Sequence, residues 1–195
     1  MVGYMSLEEQ VEADFSRALR RALLRQVRIR LRRDNASDGL LLCFDDLKMI
    51  PFAAVGRIGR GTRTVPVAQI GGSVGRCSEF DRDFMPAKAG AKERWKRKDR
   101  AFHWGEELPP VRLYKVGGFY FVLDGRHRNS VARYHGVKWN DAFVTEFNSG
   151  LWSDLKDRNR RIPDDSDFRA GQRNTQRPDY DRADALGEQR RNLSR

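Results

Sequence analysis

The sequence predicts an α/β fold of the α+β kind, a small mixed sheet with packing helices and an N-terminal helical extension, on three observations. A capped helical repeat opens the chain, two apolar runs flank a Gly-Gly turn, and the second run passes through one glycine into an amphipathic helix. At 195 residues the chain can bury one good core and carry extensions, but not two domains of ordinary size.

Ser6-Leu7-Glu8-Glu9 reads as a capping box, and Leu7, Val11, Phe15, Ala18, Leu19, Ala22 and Leu23 repeat at helical spacing behind it. This helix is expected to end between Leu31 and Asp34, with arginines 17, 20, 21, 25 and 28 on its outer face. Leu40 to Phe44 is a short apolar segment leading into a turn, and residues 1–55 together are assigned as the extension. GRIGRG, Gly56 to Gly61, reads as a glycine-rich basic connector, and Thr64 to Ile70 as a strand with Pro66 near its edge. A helix follows around Lys92 to Phe102, where Lys92, Arg94, Lys96, Arg97, Lys98 and Arg100 surround Trp95; cations about an aromatic suit a sugar–phosphate backbone. Leu108-Pro109-Pro110 leads into a strand, Val111 to Val116, joined through Gly117-Gly118 to Phe119 to Leu123. After the next helix, closed by Gly136, Ala142 to Thr145 reads as a final strand. Residues 160–195, rich in Arg, Asp, Asn and Gln with few apolar positions, read as a disordered tail.

The chemistry concentrates in Asp124-Gly125-Arg126-His127-Arg128-Asn129-Ser130. A strand end, a glycine turn and a helix start leave first-turn N–H groups facing outward, at the positive end of the helix dipole. Arg126 and Arg128 add guanidinium forks suited to phosphate, and His127 adds a hydrogen-bond donor or proton carrier. Gly125, Arg126, His127, Arg128, Asn129 and Ser130 are therefore the candidate phosphate-binding residues, and Asp124, His127 and Glu146 the candidate catalytic ones.

A net charge of +11 favours an anionic partner: a nucleotide, DNA or RNA. Cys43 and Cys77, 34 positions apart, give no close-spaced pair, so no disulfide is expected and a reducing cytoplasm is the natural setting. No apolar run approaches a membrane span, so no membrane partner is expected. No HExxH, Cys/His zinc spacing, serine elbow or Walker sequence occurs, and no resident metal is read from motif.

The runs Thr64 to Ile70, Leu108 to Val111, Phe121 to Ala132 and Ala142 to Thr145 together resemble the ParB/sulfiredoxin superfamily, over residues 64–148. Gly72 to Arg76, GSVGR, followed later by the DGRHR turn, looks like a subgroup of ParB-like domain proteins. The resemblance implies CTP or ATP bound with Mg2+ through the turn, where Gly125, Arg128 and Ala132 fit the family spacing. Sulfiredoxin places its catalytic cysteine where this chain has Arg126, so reductase activity is not expected; no helix-turn-helix pattern follows Asn148, so centromere binding is not expected either. The leading expectation is nucleoside triphosphate binding through DGRHR, with hydrolysis or phosphotransfer as the associated chemistry. The alternatives are sequence-independent DNA or RNA binding with nuclease activity, and a non-catalytic protein-interaction module, with a homodimer as one form of partner.

Overall fold

The computed structural model describes residues 5–32, 39, 41–47 and 56–147. Helix α1 spans Leu7–Leu31 and opens on the capping box: Ser6 Oγ accepts from the Glu9 N–H at 3.3 Å, and the Glu9 carboxylate accepts from the Ser6 N–H at 2.8 Å. It buries Val11, Phe15, Ala18 and Ala22, whereas Leu23, Leu24, Val27 and Leu31 toward its C-terminal end are exposed.

The sheet has six strands: β1 (Leu42–Cys43), β2 (Arg57–Pro66), β3 (Ile70–Ser73), β4 (Val111–Val116), β5 (Phe119–Asp124) and β6 (Trp139–Phe147). Their spatial order is β1-β3-β5-β4-β6-β2, with the β4–β5 hairpin at the centre. β5 runs parallel to β3, β4 parallel to β6, and β2 closes one edge antiparallel to β6. Alternation along β5 sorts its residues between two cores. Val122 faces the helices with Val111, Leu113, Ala142 and Val144, while Phe119 and Phe121 join an aromatic group with Phe44, Tyr114 and Phe147. Gly71 and Gly72 on β3 make room for that group, since a Cβ on either would lie 2.2 or 2.3 Å from the Phe119 or Phe121 ring.

Helices α2 (Lys92–His103) and α3 (Arg126–Tyr134) meet α1 around Trp95. The Trp95 indole is fully buried, donates through Nε1 to Ser130 Oγ at 2.8 Å, and packs edge-on to Phe15 and Tyr134 at 5.7 and 5.5 Å. One side chain therefore ties all three helices together.

Three local expectations are corrected. GRIGRG is strand rather than connector: β2 runs through it, with a register shift between Gly59 and Thr62, because β6 supplies a full antiparallel ladder that outweighs glycine's weak strand preference. The expected Thr64–Ile70 strand breaks after Pro66, which lacks an N–H; Val67–Gln69 form a 3₁₀ turn and β3 begins at Ile70. Cys43 and Cys77 form a disulfide, with Cα atoms 5.5 Å apart, because parallel pairing of β1 with β3 places Cys43 opposite Ser73. In the chain-entropy model, closing a loop of that length contributes about 4 kcal/mol. Among the described residues, no helix is long and apolar enough to cross a membrane. The tail expected over 160–195 lies outside the described residues.

Candidate functional site

β5 delivers the chain to Asp124, and Gly125 turns it into α3 with φ 96°, a left-handed conformation that glycine adopts without strain. Space there is as restrictive as torsion: a Cβ on Gly125 would lie 2.7 Å from Val111 Cγ1 and 3.0 Å from the Arg128 guanidinium. Asn129 N–H closes the first turn on Gly125 O at 2.9 Å, and no side chain caps the helix. The N–H groups of residues 126 to 128 therefore form the open end of the helix.

That end looks into a cleft of about 510 Å³ lined by Arg76, Arg94, Arg97, Lys98, Asp124, Arg126, His127 and Arg128, with Pro109 and Gly125 completing the wall. Its cations outnumber the carboxylates near them. Glu79 lies 3.9 Å from Arg76 and 3.6 Å from Arg94, and Asp124 is bonded to Arg128. Arg97 and Lys98 have no ion-pair partner among the described residues. Burial, together with Arg76 and Arg94 and against the pull of the Glu79 and Asp124 carboxylates, holds Arg126 below its ordinary pKa; its Nη1 donates to Val74 O at 3.2 Å.

His127 experiences this field most strongly. Burial, then the positive charges of Arg94, Arg126, Arg76 and Arg97, push its pKa down to about 4. The ring is therefore neutral at pH 7; it meets Phe80 edge-on at 5.2 Å, and its buried Nδ1 has no hydrogen-bond partner among the described residues.

The other expected site residues divide in three ways. Arg128 lies in the cleft wall and is engaged within the protein: Nη1 donates to Pro109 O and Pro110 O, and Nη2 to Asp124 Oδ2 at 2.7 Å. It fastens the prolines and Asp124 to the turn. Asn129 and Ser130 are fully buried and face inward: Ser130 Oγ donates to Phe84 O, and Asn129 Oδ1 accepts from Asn140 at 3.3 Å. Glu146 lies elsewhere, bonded to Lys115 at 2.9 Å and Arg60 at 2.7 Å. It shares a cross-strand row with Lys115 and Tyr120, four residues along β5 from Asp124, which is about 13 Å of strand.

Helix α2 splits its cations by face. Lys92 and Lys96 pair with Glu12, and Arg100 with Glu8, so this i, i+4 stripe is fastened to α1. Arg94, Arg97 and Lys98 are left for the cleft. Sequence reasoning missed Arg76, which arrives from the turn after β3; its only signal was its place at the end of GSVGR.

No protein-family model, curated protein or solved structure matches this chain.

Proposed function

We propose that the cleft binds the phosphates of a nucleoside triphosphate, CTP or ATP, accompanied by Mg2+. One observation carries this reading: the open first turn of α3 and the cations Arg76, Arg94, Arg97, Lys98 and Arg126 converge on one cavity, two of them with no carboxylate partner among the described residues. Such a site offers donors in excess of acceptors, and a triphosphate supplies the missing acceptors. The resemblance to ParB/sulfiredoxin domains points the same way.

The role supported is binding. Among the described residues Asp124 is the one carboxylate lining the cleft, and it is bonded to Arg128, so neither it nor neutral His127 is poised as a strong general base. In this reading Mg2+ arrives with the nucleotide, held mainly by phosphate oxygens.

Calorimetric titration with CTP, ATP and GTP in Mg2+ tests this, on the parent chain and an Arg94→Ala/Arg97→Ala double variant. Saturable binding of one nucleotide, weakened at least about tenfold in the variant, is expected. Failure to bind any of the three overturns the reading. Binding of single-stranded oligonucleotides of any sequence, with affinity falling steeply as salt rises, would assign the cleft to a nucleic-acid backbone instead.

A further inference from the structure

At the opposite end of α3 four side chains from three helices converge. Asp14 of α1, Asp99 and His103 of α2, and His135, which caps α3, each bring one potential ligand atom within 4.8 Å of the others. Asp99 and His103 are four residues apart and so share one face of α2. His135 Nε2 lies 2.6 Å from Asp99 Oδ1; His103 Nε2 lies 3.1 Å from Asp14 Oδ2 and 3.6 Å from Asp99 Oδ2. Both carboxylates are buried, with Asp14 4% and Asp99 0% exposed.

An outer layer holds these groups in place. The Tyr134 hydroxyl and Arg17 Nη1 both donate to Asp14 Oδ1, at 2.7 and 2.9 Å, leaving Oδ2 turned to the centre. The His135 ring stacks on Phe102 at 4.1 Å. Oriented ligands backed by hydrogen-bonded partners are how proteins prepare a metal site.

The hydrogen bonds within the cluster do not close. Asp99 is fully buried, yet its Oδ2 has no hydrogen-bond partner among the described residues. An imidazole Nε2 carries one proton at most, and His103 Nε2 faces two carboxylates. Arg17 and Tyr134 already answer Asp14, but a partnerless buried oxygen on Asp99 is costly. A cation at the centre removes that cost, taking Asp99 Oδ2 and both imidazole lone pairs as ligands.

We propose that Asp14, Asp99, His103 and His135 form a structural site for one first-row divalent cation of the zinc class, which joins α1, α2 and α3. The donor set decides the class: two imidazole nitrogens with two carboxylate oxygens suit zinc and its neighbours, whereas Mg2+ and Ca2+ take all-oxygen shells. A tetrahedral zinc holds its ligand atoms roughly 3.4 Å apart, and the four here already lie within 4.8 Å of one another, so closing onto the ion takes at most about 1.4 Å at any pair. Four protein ligands fill the tetrahedron, which makes the site structural.

The test uses the full chain stripped with chelator and titrated with Zn2+, Co2+ and Mg2+. One equivalent of Zn2+ or Co2+ with a dissociation constant below about 1 μM is expected, with no Mg2+ uptake. At hundredfold excess over that constant the melting temperature should rise by about 5–10 °C. X-ray absorption at the zinc edge should show two imidazoles and no sulfur. Asp99→Asn and His135→Gln should each weaken Zn2+ at least about 100-fold. Since either change can unfold the nest, His103→Cys provides the decisive variant: it keeps four ligands and should add a thiolate-to-cobalt charge-transfer band. Absence of stoichiometric uptake by the parent chain overturns the proposal. So does sulfur in its zinc shell, or cobalt uptake by His103→Cys without that band.

Discussion

The two ends of α3 are opposites. At its N-terminal end the protein gathers donors and positive charge, from Arg76, Arg94, Arg97, Lys98 and the open amides, with few acceptors to meet them. At its C-terminal end it gathers acceptors, Asp14 and Asp99, which hold the His103 and His135 imidazoles and leave Asp99 Oδ2 without a hydrogen-bond partner among the described residues. The helix dipole has the same sense, favouring an anion at the first end and a cation at the second. Helix α2 contributes to both, its Arg94, Arg97 and Lys98 to one and its Asp99 and His103 to the other. The contrast teaches that these are two local polarities built on one helix–helix joint, so each should fail alone when its own residues change and both together when the joint fails.

The largest effect is expected where the joint itself is cut. Trp95→Ala removes a fully buried indole that contacts Phe15 and Tyr134 and leaves Ser130 Oγ without its donor. Chemical denaturation should show a loss of about 3–5 kcal/mol. Nucleotide and zinc affinity should fall together, since α2 carries ligands for both ends. A variant that loses one and keeps the other would show that the two ends do not share this support.

The same contrast explains what was legible in the sequence. The phosphate-type end was visible because its centre is contiguous: Asp124, Gly125, Arg126 and His127 are neighbours in the chain, and strand–glycine–helix is a local pattern. The strands β4 and β5, the capping box of α1 and the helix through Trp95 were legible for the same reason, being set by short-range propensity and periodicity. The acidic end was invisible because residues 14, 99, 103 and 135 meet only once three helices have packed; what the sequence offered was Asp99 and His103 at i, i+4, a spacing common on solvated helices. β2 and the disulfide were missed on similar grounds, since their partners, β6 and the β1–β3 pairing, are distant in the chain. Within the legible motif, the inward facing of Asn129 and Ser130 depended on where Phe84, Trp95 and Asn140 came to rest, which no local pattern reports.

A smaller and one-sided effect is expected from Gly125→Ala. The added methyl must tolerate φ 96° and a 2.7 Å approach to Val111, and it presses on the Arg128 guanidinium that holds Pro110 and Asp124. Strain of this kind costs about 1–3 kcal/mol, and the first turn of α3 should lose its alignment with Arg76 and Arg97. Nucleotide affinity should drop at least about tenfold while zinc affinity stays within about twofold, because the C-terminal end of the helix keeps its packing. Equal losses at both would merge the two ends into one cooperative unit and remove the distinction drawn between them.

The smallest effect concerns acid, and it belongs to the cationic end alone. His127 has a pKa near 4 in the folded protein against an ordinary value of 6.5, so between those values the unfolded chain binds more proton than the folded one. Stability from this group is therefore complete above pH 6.5, declines as pH falls, and is fully lost below 4. Partial solvent screening limits the loss at pH 5 to the order of 1 kcal/mol. The difference in unfolding free energy between the parent chain and His127→Gln, followed from pH 7.5 to 4.5, isolates it, because acid titration of the other groups is common to both. The gap should shift in favour of the variant as pH falls; parallel curves would mean that neither burial nor the arginines around it lower the His127 pKa. A bound phosphate should shrink the shift, since an anion among Arg76, Arg94, Arg97 and Arg126 opposes the field that keeps the ring neutral, and added Zn2+ should leave it unchanged.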